Sequence, residues 1–340
     1  MQVKTLTPAD YGRWDAYVEK HPEATFFHYS SWREILQGSF NHPTHYLYAE
    51  ENGEIQGIFP LGHIRSRLFS NALISTPFCV YGGVLADTEA ARETLENAAV
   101  ELAHELAVDY LEVRNLKPSG AGRSTKDLYV TFRKELDPDP EANLKAIPRK
   151  QRAMVRKGIK AGLVGVIDEK IDRFYDIYAE SVRNLGTPVF PKRYFEQLKK
   201  TFGDRCEILL VEHNGDAIAS VMNFYFRDEV LPYYGGGTSA ARALKANDFM
   251  YWEVMRRAVE RGIKIFDYGR SKKGTGSYRF KTHWGFEPQP LYYEYALIRA
   301  KFLPDINPLN PKYQMFIKAW QKLPLPVSKV IGPWLARSLG

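Results

Sequence analysis

The chain has 340 residues, of which 44% are hydrophobic and 14% aromatic, and its formal net charge is +7 at neutral pH. This apolar content excludes a disordered polymer, and the length allows two domains of ordinary size. The positive charge favours an anionic partner, such as a phosphate, a nucleic acid or an acidic membrane surface, without choosing among them.

The cysteines and the N-terminus limit the cellular location. Cys79 and Cys206 are the only cysteines and neither belongs to a CxxC pair, so we predict two buried thiols in a reducing compartment rather than a zinc or redox site. The N-terminal residues lack the apolar core of a signal peptide, and no run approaches the ~18 apolar residues that span a bilayer. We therefore predict a cytoplasmic protein.

An ordered series of elements occurs twice along the chain. Each copy opens with a helical segment, at about 8–37 and about 168–201. Two strands joined by an Asn-Gly turn follow, over 44–63 and 206–226. Asn-Gly supplies the positive φ angles of a tight hairpin, so each pair of strands is predicted to form one.

The second half of the series is also repeated. A predicted strand ending in Tyr-Gly-Gly follows each hairpin, over 77–84 and 231–238, and apolar residues at helical spacing then predict a helix. The helix leads into a short strand that carries an acid, over 109–115 and 263–271. Two related, duplicated α/β domains explain this repetition.

The predicted organisation has four parts, and the second and fourth are basic. They are a first domain over 1–140, a connector helix over 141–165, a second domain over 166–300 and a C-terminal arm over 301–340.

Residues 144–163 in the connector contain seven basic residues and no acid. On a helix, Arg149, Arg152, Arg156 and Lys160 share one face, and like charges at this spacing repel one another. The face is either a solvated surface or an anion-binding stripe, and the repulsion favours the second interpretation. The residues predicted to hold a pyrophosphate or an RNA backbone are Arg149, Lys150, Arg152 and Arg156.

The C-terminal arm is rich in proline and aromatic residues, and from about residue 302 its only acid is Asp305. It is either an ordered arm that wraps the second domain or an interfacial membrane anchor. In the second case Phe316, Trp320, Leu323 and Trp334 would face lipid and the lysines would face headgroups.

The stretch FDYGRSKKGTGSYRFKTHWGFEP (266–288) excludes several chemistries. Gly269 and Gly274 have the spacing of a phosphate loop, but Thr275-Gly276 stands where that loop needs Lys followed by Ser or Thr. His283 has no HExxH context, and no GxSxG elbow occurs. Nucleotide hydrolysis, metal catalysis and serine hydrolysis therefore have no support, and we predict no metal and no organic cofactor.

The order hairpin, strand, helix, strand, followed by SYRFKTHWGFEPQPLYYEYAL (277–297), resembles the GNAT acyltransferase fold. The duplication and the basic connector narrow this to a resemblance to the FemAB family, tandem GNAT-like proteins that transfer amino acids from aminoacyl-tRNA to peptidoglycan precursors. The fold that this implies is α/β (α+β), with two tandem GNAT-like domains, each a mixed, mostly antiparallel sheet flanked by helices.

Four stretches are similar to the FemAB-like group associated with PEP-CTERM/exosortase systems of bacteria that make exopolysaccharide. They are STPFCVYGGVLAD (75–87), RNLGTPVFPKRYFE (183–196), YWEVMRRAVERGIKIFDYGRSKKGTGSYRFKTHWG (251–285) and NPLNPKYQMFIKAWQKLPLPVSKVIGP (307–333).

One departure concerns the coenzyme A loop. GNAT enzymes usually hold the pyrophosphate with R/Q-x-x-G-x-G/A, which presents bare backbone N–H groups at a helix N-terminus. Here Arg242 remains, but Lys245 and Asn247 replace both glycines. The same place in the first repeat carries Asp87 and Glu89, which would repel a phosphate. The acyl-CoA signature is therefore absent, which favours a FemAB-type donor without excluding an acetyltransferase.

The resemblance also suggests a catalytic residue. A lysine in a Phe-Lys pair of the closing segment is implicated in FemAB catalysis, and Phe280-Lys281 matches it. Lys281 is thus predicted to neutralise charge at the reacting carbonyl, the alternative being a surface lysine on a terminal helix.

Other residues of the second repeat are candidates with structural alternatives. Arg270, with Ser271, follows a predicted buried strand and would bind a phosphate or carboxylate, or else pair with Asp267 or Glu253. Asp267 is either a general base or, preferably, the residue that orients Arg270. Two tyrosines are candidates as hydrogen-bond donors, and core packing is their alternative role; these are Tyr234 and Tyr278.

We therefore expect an acyl- or aminoacyltransferase that uses aminoacyl-tRNA or acyl-CoA and acts on an anionic envelope or exopolysaccharide precursor, such as a UDP-linked or lipid-linked sugar. Two alternatives stay open. One is a CoA-dependent acetyltransferase acting on a polysaccharide or lipid-linked sugar, and the other is a non-enzymatic protein that binds nucleic acid or a membrane surface. Contact of the C-terminal arm with the inner membrane belongs to the same expectation.

Overall fold

A computed structural model describes residues 1–66, 71–304 and 311–338. The chain divides into two compact units, each built from more than one segment. Unit 1 contains Met1–Tyr129, Pro290–Ile306 and Arg337–Gly340, and unit 2 contains Val130–Gln289 and Asn307–Ala336.

The described residues form short and long strands together with helices of both units. The strands are β1 (Gln2–Thr5), β2 (Thr44–Glu51), β3 (Glu54–Arg65), β4 (Asn71–Ser75), β5 (Leu85–Ala86), β6 (Tyr110–Asn115), β7 (Ser124–Thr125), β8 (Tyr129–Thr131), β9 (Arg133–Glu135), β10 (Val164–Ile167), β11 (Cys206–His213), β12 (Asp216–Phe226), β13 (Glu229–Gly237), β14 (Ile265–Asp267), β15 (Ser271–Lys272), β16 (Gln289–Pro290) and β17 (Tyr292–Leu297). The helices are α1 (Tyr11–Lys20), α2 (Ser31–Phe40), α3 (Glu89–Glu105), α4 (Pro140–Ala146), α5 (Arg149–Lys160), α6 (Ile171–Leu185), α7 (Lys192–Phe202), α8 (Ser239–Leu244), α9 (Ala246–Glu260), α10 (Gly276–His283), α11 (Pro311–Gln321) and α12 (Leu325–Ala336).

The two main sheets have the same topology. The sheet of unit 1 runs β1-β2-β3-β4-β6-β17 with β7 beyond it, and that of unit 2 runs β10-β11-β12-β13-β14-β9. In both, every neighbouring pair in this six-strand order is antiparallel except the fourth and fifth strands, which are parallel. The predicted duplication and the predicted mixed, mostly antiparallel sheets flanked by helices are confirmed.

The sixth strand of each sheet comes from the other repeat. β17 follows the second repeat along the chain but pairs with β6, Tyr293 opposite Arg114. β9 follows the first repeat but pairs with β14, Asp267 opposite Arg133. The units therefore divide at 129/130 and 289/290, whereas the predicted first and second domains end at 140 and 300. An alternating strand pattern shows which face is buried but not which sheet the strand joins, so the sequence pattern could not reveal the exchange.

Both predicted Asn-Gly hairpins are present. Asn52 and Gly53 have φ angles of 52° and 83°, and Asn214 and Gly215 have 53° and 90°. Two successive left-handed residues are what a two-residue hairpin turn requires, because they match the twist of the flanking strands. The turns thereby set the register of β2 with β3 and of β11 with β12.

The predicted strand over 77–84 is wrong, whereas its counterpart over 231–238 corresponds to β13. In unit 1 the strand is β4, and it ends at Ser75. Thr76 and Phe78 have positive φ angles of 36° and 67°, and Pro77 between them has no N–H to donate to a sheet. Residues 76–84 are therefore a buried loop.

One long helix packs on each sheet, as the apolar spacing predicted. α3 begins at a Thr88 cap, whose hydroxyl accepts from the Ala91 N–H, and its apolar face packs on the sheet of unit 1. α9 packs in the same way in unit 2. Both cysteines are buried free thiols, as predicted.

The C-terminal arm is helical, and α11 and α12 pack on α6. Gly186, after α6, lies so close to α11 that an added Cβ would be 2.4 Å from the Ile317 side chain. Trp320 is buried at 4% exposure and stacks on Phe316, so of the two alternatives for the arm, the one in which Trp320 faces lipid is wrong for this residue. Asp305 lies outside the described residues. Across the part of the chain that the structure describes, helices are too short or too polar to span a bilayer.

Candidate active site

The site begins where two parallel strands of unit 2 separate. β13 and β14 pair only at Glu229 with Ile265 and at Val230 with Phe266. β13 then continues to Gly237, whereas β14 ends at Asp267. A strand edge can bind an extended ligand through main-chain hydrogen bonds, so the divergence of β13 from β14 marks a candidate binding region.

The glycines at the end of β13 allow close packing around it. An added Cβ at Gly236 would lie 2.2 Å from the Ser181 Oγ on α6, and one at Gly237 would lie 2.7 Å from Asn247 Oδ1. Any larger residue would push α6 or the start of α9 away from the strand. The Gly235-Gly236-Gly237 run therefore brings these helix ends to the strand end.

A cavity of about 500 Å³ lies at this junction in unit 2. It is lined by the end of α6, the segment from Gly237 to Asp248, and Phe280. The part of its lining that can bind anions or donate hydrogen bonds comprises Ser181, Asn184, Thr238, Ser239, Arg242, Lys245 and Asn247. Arg242, which matches the phosphate-loop pattern, and Lys245 and Asn247, which replace its glycines, thus line one cavity.

Lys245 has an unusual backbone conformation between α8 and α9. Its φ and ψ angles are 60° and 33°, the left-handed region in which glycine is usual. The chain keeps the turn that a glycine would form and adds a side chain with a positive charge to the cavity lining.

Asp248 is a cavity residue that the sequence analysis missed. Its Oδ1 accepts hydrogen bonds from the Trp284 indole and the Gln151 amide, both at 3.2 Å. Burial raises the pKa of Asp248 above its ordinary value, and these hydrogen bonds and the charge of Lys245 oppose the shift. An acid in the first turn of a helix is commonplace in sequence, so no local signal set it apart.

Lys281 is buried rather than a surface lysine. Its side chain is on α10 and the residue is 9% exposed. The Nζ donates to the carbonyls of Gly269 and Arg270, at 2.9 and 3.1 Å, just beyond the end of β14. Burial lowers the pKa of Lys281 from its ordinary value to about 7, opposed by Asp267, while Arg270 lowers it further. At neutral pH the amine is therefore close to its titration midpoint.

Three donors contact the Asp267 carboxylate. It accepts from the Gly269 N–H at 2.7 Å, the Thr131 hydroxyl at 3.3 Å and the Arg133 guanidinium at 3.2 Å. Arg133 also pairs with Glu229. A carboxylate with these donors orients the 267–269 turn, and Arg133 is a partner that the sequence did not predict. Arg133 was missed because it lies on β9, the exchanged strand.

Lys281 and Asp267 together support the turn after β14. The carboxylate accepts from the Gly269 N–H, and the ammonium donates to the Gly269 C=O. Arg270 follows this turn half-buried, and Ser271 is 4% exposed with no hydrogen-bond partner for its Oγ among the described residues. Glu253, the other proposed partner of Arg270, pairs with Arg256 at 2.7 Å.

The two candidate tyrosines have different surroundings. Tyr234 is 6% exposed, shares a 2.8 Å hydrogen bond with the Tyr194 hydroxyl and packs among aromatic rings. This geometry favours its packing role. Tyr278 is half-buried on α10, with its ring against Phe132.

The connector predicted as one helix over 141–165 contains two helices, α4 and α5, because Pro148 interrupts it, and α5 packs on α9 through Val155 and Gly158. Arg149, Lys150 and Arg156 are exposed, and Arg152 donates to the Lys145 carbonyl at 2.6 Å. The same helix carries Gln151, the partner of Asp248, so the basic helix is connected to the cavity lining through one hydrogen bond.

Comparison with known proteins agrees with this architecture. Residues 145–282 match the family model described as an acetyltransferase (GNAT) domain. No curated protein matches the sequence significantly.

Solved structures similar to this chain include FemX, with a TM-score of 0.66 at 14% identity over 93% of this chain and all of that one. The C-terminal domain of a putative lysylphosphatidylglycerol synthetase from Agrobacterium fabrum has a TM-score of 0.57 at 14% identity, over 85% of this chain and 92% of that one. A tandem GNAT protein from the clavulanic acid biosynthesis pathway has a TM-score of 0.55 at 14% identity, over 87% of this chain and 98% of that one.

The resemblance to GNAT and FemAB-type proteins is thus supported at the level of fold. These matches do not address the PEP-CTERM association. The chain has a tandem GNAT fold, and its second unit contains the segment that matches the GNAT acetyltransferase domain.

Proposed function

We propose that unit 2 transfers an acyl or aminoacyl group to an amine of an anionic cell-envelope or exopolysaccharide precursor, in the manner of FemAB proteins. The observation that carries this proposal is the divergence of β13 from β14, because β13 ends at a cavity lined by Arg242 and Lys245 and the turn after β14 accepts hydrogen bonds from the buried Lys281. The acceptor class is a UDP-linked or lipid-linked sugar or peptide, and a PEP-CTERM-type exopolysaccharide system is one setting for it.

In the proposed reaction the acceptor amine attacks the donor carbonyl and forms a C–N bond. The carbonyl oxygen becomes an oxyanion, and the bond to the leaving group then breaks, releasing a tRNA hydroxyl or a thiol that takes up the proton lost by the amine. Lys281 has an N–H beyond the two that it donates to Gly269 and Arg270. In its protonated form it would stabilise the oxyanion. Such stabilisation is strongest in a site that excludes water.

The basic residues have a binding role in this proposal. Arg242 and Lys245 line the cavity and would hold the phosphates of the donor or acceptor. The exposed cations of α5, Arg149, Lys150 and Arg156, would contact a longer polyanion such as tRNA.

A CoA-dependent acetyltransferase is the second candidate. The match of residues 145–282 to the acetyltransferase model favours it, and Arg242 and Lys245 offer positive side chains where other GNAT proteins offer backbone N–H groups. The acceptor would be a polysaccharide or lipid-linked sugar.

Ligand-induced thermal stabilisation tests the proposal, with acetyl-CoA, aminoacyl-tRNA and UDP-linked sugars added separately. A ligand at ~100 times its dissociation constant adds about 2.7 kcal/mol to the free energy of unfolding. We expect stabilisation by aminoacyl-tRNA or a UDP-sugar, reduced in an Arg242→Ala variant and retained in Arg227→Ala, a matched change at a hairpin turn. A response to acetyl-CoA alone would favour the second candidate, and stabilisation by none of the three would contradict both.

A further inference from the structure

Helix α12 packs with its small residues inward. Ser328 and Ala336 are each 1% exposed, and Gly332, between them at helical spacing, is also buried. An added Cβ at Gly332 would be 3.0 Å from Val189, so the helix lies directly against that part of unit 2. The small residues permit this approach and leave the larger side chains on the opposite side.

The outward side of α12 is apolar. It carries Val327 and the residues three, four and seven positions after it, which are Val330, Ile331 and Trp334. Val330 is 78% exposed and Trp334 is 57% exposed. A stripe with this spacing ordinarily faces a protein core, so its exposure marks a binding surface. Met315 on α11 is also exposed, at 76%.

The C-terminal segment that forms α11 and α12 carries only positive charges. Between residues 314 and 338 the sequence contains no acid and four basic residues, namely Lys318, Lys322, Lys329 and Arg337. Lys329 is paired with Asp176 at 2.5 Å. Lys318 and Lys322 are exposed. An exposed apolar stripe in a segment with exposed lysines and no acid complements an anionic lipid surface, which accepts apolar side chains at the headgroup boundary and attracts the cations.

We propose that Val327, Val330, Ile331, Trp334 and Met315 form a lipid-docking face that binds an anionic bilayer surface. The apolar side chains enter the headgroup region, and Lys318 and Lys322 contact the anionic headgroups. Trp334 has the amphipathic ring that is favoured at this depth. The face revises the sequence-based expectation, since it contains Trp334 but excludes the buried Trp320.

Helices α11 and α12 carry the lipid-docking face, and two hydrogen bonds join the end of α11 and the segment after it to the end of α6 in the cavity of unit 2. The Arg183 guanidinium donates to the Leu323 carbonyl at 3.2 Å, and the Gln321 amide donates to the Asn184 carbonyl at 3.1 Å. Asn184 and Leu185 line the cavity. Docking would therefore hold the cavity near a bilayer, where a lipid-linked acceptor is found. This last step rests on the proposed function, whereas the docking itself does not.

Vesicle cosedimentation of the full chain tests the inference, with phosphatidylcholine vesicles that contain or lack phosphatidylglycerol. We expect binding to the anionic vesicles that weakens as salt is raised. A Val330→Ser/Trp334→Ser variant should bind at least tenfold more weakly. Val164→Ser removes an apolar side chain on β10 that is 56% exposed, and this variant should bind like the wild type. Lys318→Gln/Lys322→Gln should reduce the preference for anionic lipid and its salt dependence.

Melting temperatures and the ligand-induced stabilisation of the variants show that the fold and the cavity are intact. Failure of the wild type to bind anionic vesicles would overturn the inference, as would equal binding by the Val330→Ser/Trp334→Ser variant. Self-association that this variant abolishes, without vesicle binding by the wild type, would assign the face to a second copy instead. A ligand response without vesicle binding would leave the proposed function standing and remove only the docking.

Discussion

In both sheets the fourth and fifth strands pair over only two or three residues. The two units differ in what the chain does beyond that pairing. In unit 1, β4 and β6 pair at Ala72, Leu73 and Ile74, and the chain beyond β4 folds back over β6 as the loop 76–84. In unit 2, β13 continues as a strand, and a cavity lies at its end.

Hydrogen bonds hold the loop of unit 1 in place. Arg114 on β6 donates to the Cys79 carbonyl and to Glu112, both at 2.7 Å, and the Tyr293 hydroxyl donates to the Val80 carbonyl at 2.7 Å. An added Cβ at Gly83 would be 1.9 Å from Asn115 Oδ1. The same topology thus accommodates a packed loop beyond the fourth strand in unit 1 and a cavity at the end of the fourth strand in unit 2.

The largest expected effect is on transfer by unit 2. Lys281→Ala should reduce the transfer rate by about 10²–10³-fold, the usual cost of removing an oxyanion donor, with the loss in kcat rather than in KM. Single-turnover kinetics with the donor that stabilises the protein would measure it. Arg279→Ala, which removes an exposed cation from the same helix, is the control. A folded Lys281→Ala variant with full activity would exclude the catalytic role.

The matching change in unit 1 should affect stability and not binding. Arg114→Ala leaves Glu112 without its partner, and Glu112 is 7% exposed. Loss of one member of a buried ion pair costs about 3 kcal/mol of unfolding free energy. Urea denaturation would measure the loss, and Glu112→Gln/Arg114→Met should recover part of it. A reduced ligand response in this double variant would mean that unit 1 also binds the ligand.

The buried amine of unit 2 predicts a pH-dependent stability. Burial lowers the pKa of Lys281 to about 7, against an ordinary value of 10.5. Between these values the unfolded chain binds more protons than the folded one, so this group makes stability rise with pH, by up to about 1.4 kcal/mol per pH unit. Lys281→Met should remove that contribution. Urea titrations at pH 7, 8 and 9 would show it, and identical pH slopes for variant and wild type would refute it.

The smallest effect concerns the turn that lines the cavity. Lys245→Gly should raise the free energy of unfolding by about 1 kcal/mol, since it relieves a left-handed conformation. It should also weaken binding of anionic ligands, because it removes a cation from the lining. Asn214→Gly relieves a similar φ angle at a hairpin turn and should leave binding unchanged. Thermal unfolding with and without ligand measures both, and unchanged ligand affinity in Lys245→Gly would exclude a binding role for its charge.

Much of the fold was predictable because its signals are local. The hairpin turns follow from Asn-Gly, and the helices α3 and α9 from apolar spacing, since each depends on neighbours within a few residues. Lys281 was chosen from a resemblance to a family motif, whereas its burial and its two carbonyl partners come from the fold. Asp248 gave no sequence signal, because its partners Trp284 and Gln151 are 36 and 97 residues away along the chain.

Local signals specify the repeated order of elements, the basic connector and the absence of the glycine-rich phosphate loop, because turn chemistry, periodicity and charge involve residues that are close in sequence. Three other features depend on the tertiary fold: β9 and β17 exchange sheets, residues 76–84 form a buried loop where unit 2 has the strand β13, and α12 has its large side chains facing outward. Each of these depends on which distant surface a segment packs against, and alternation or helical spacing is the same whichever surface that is.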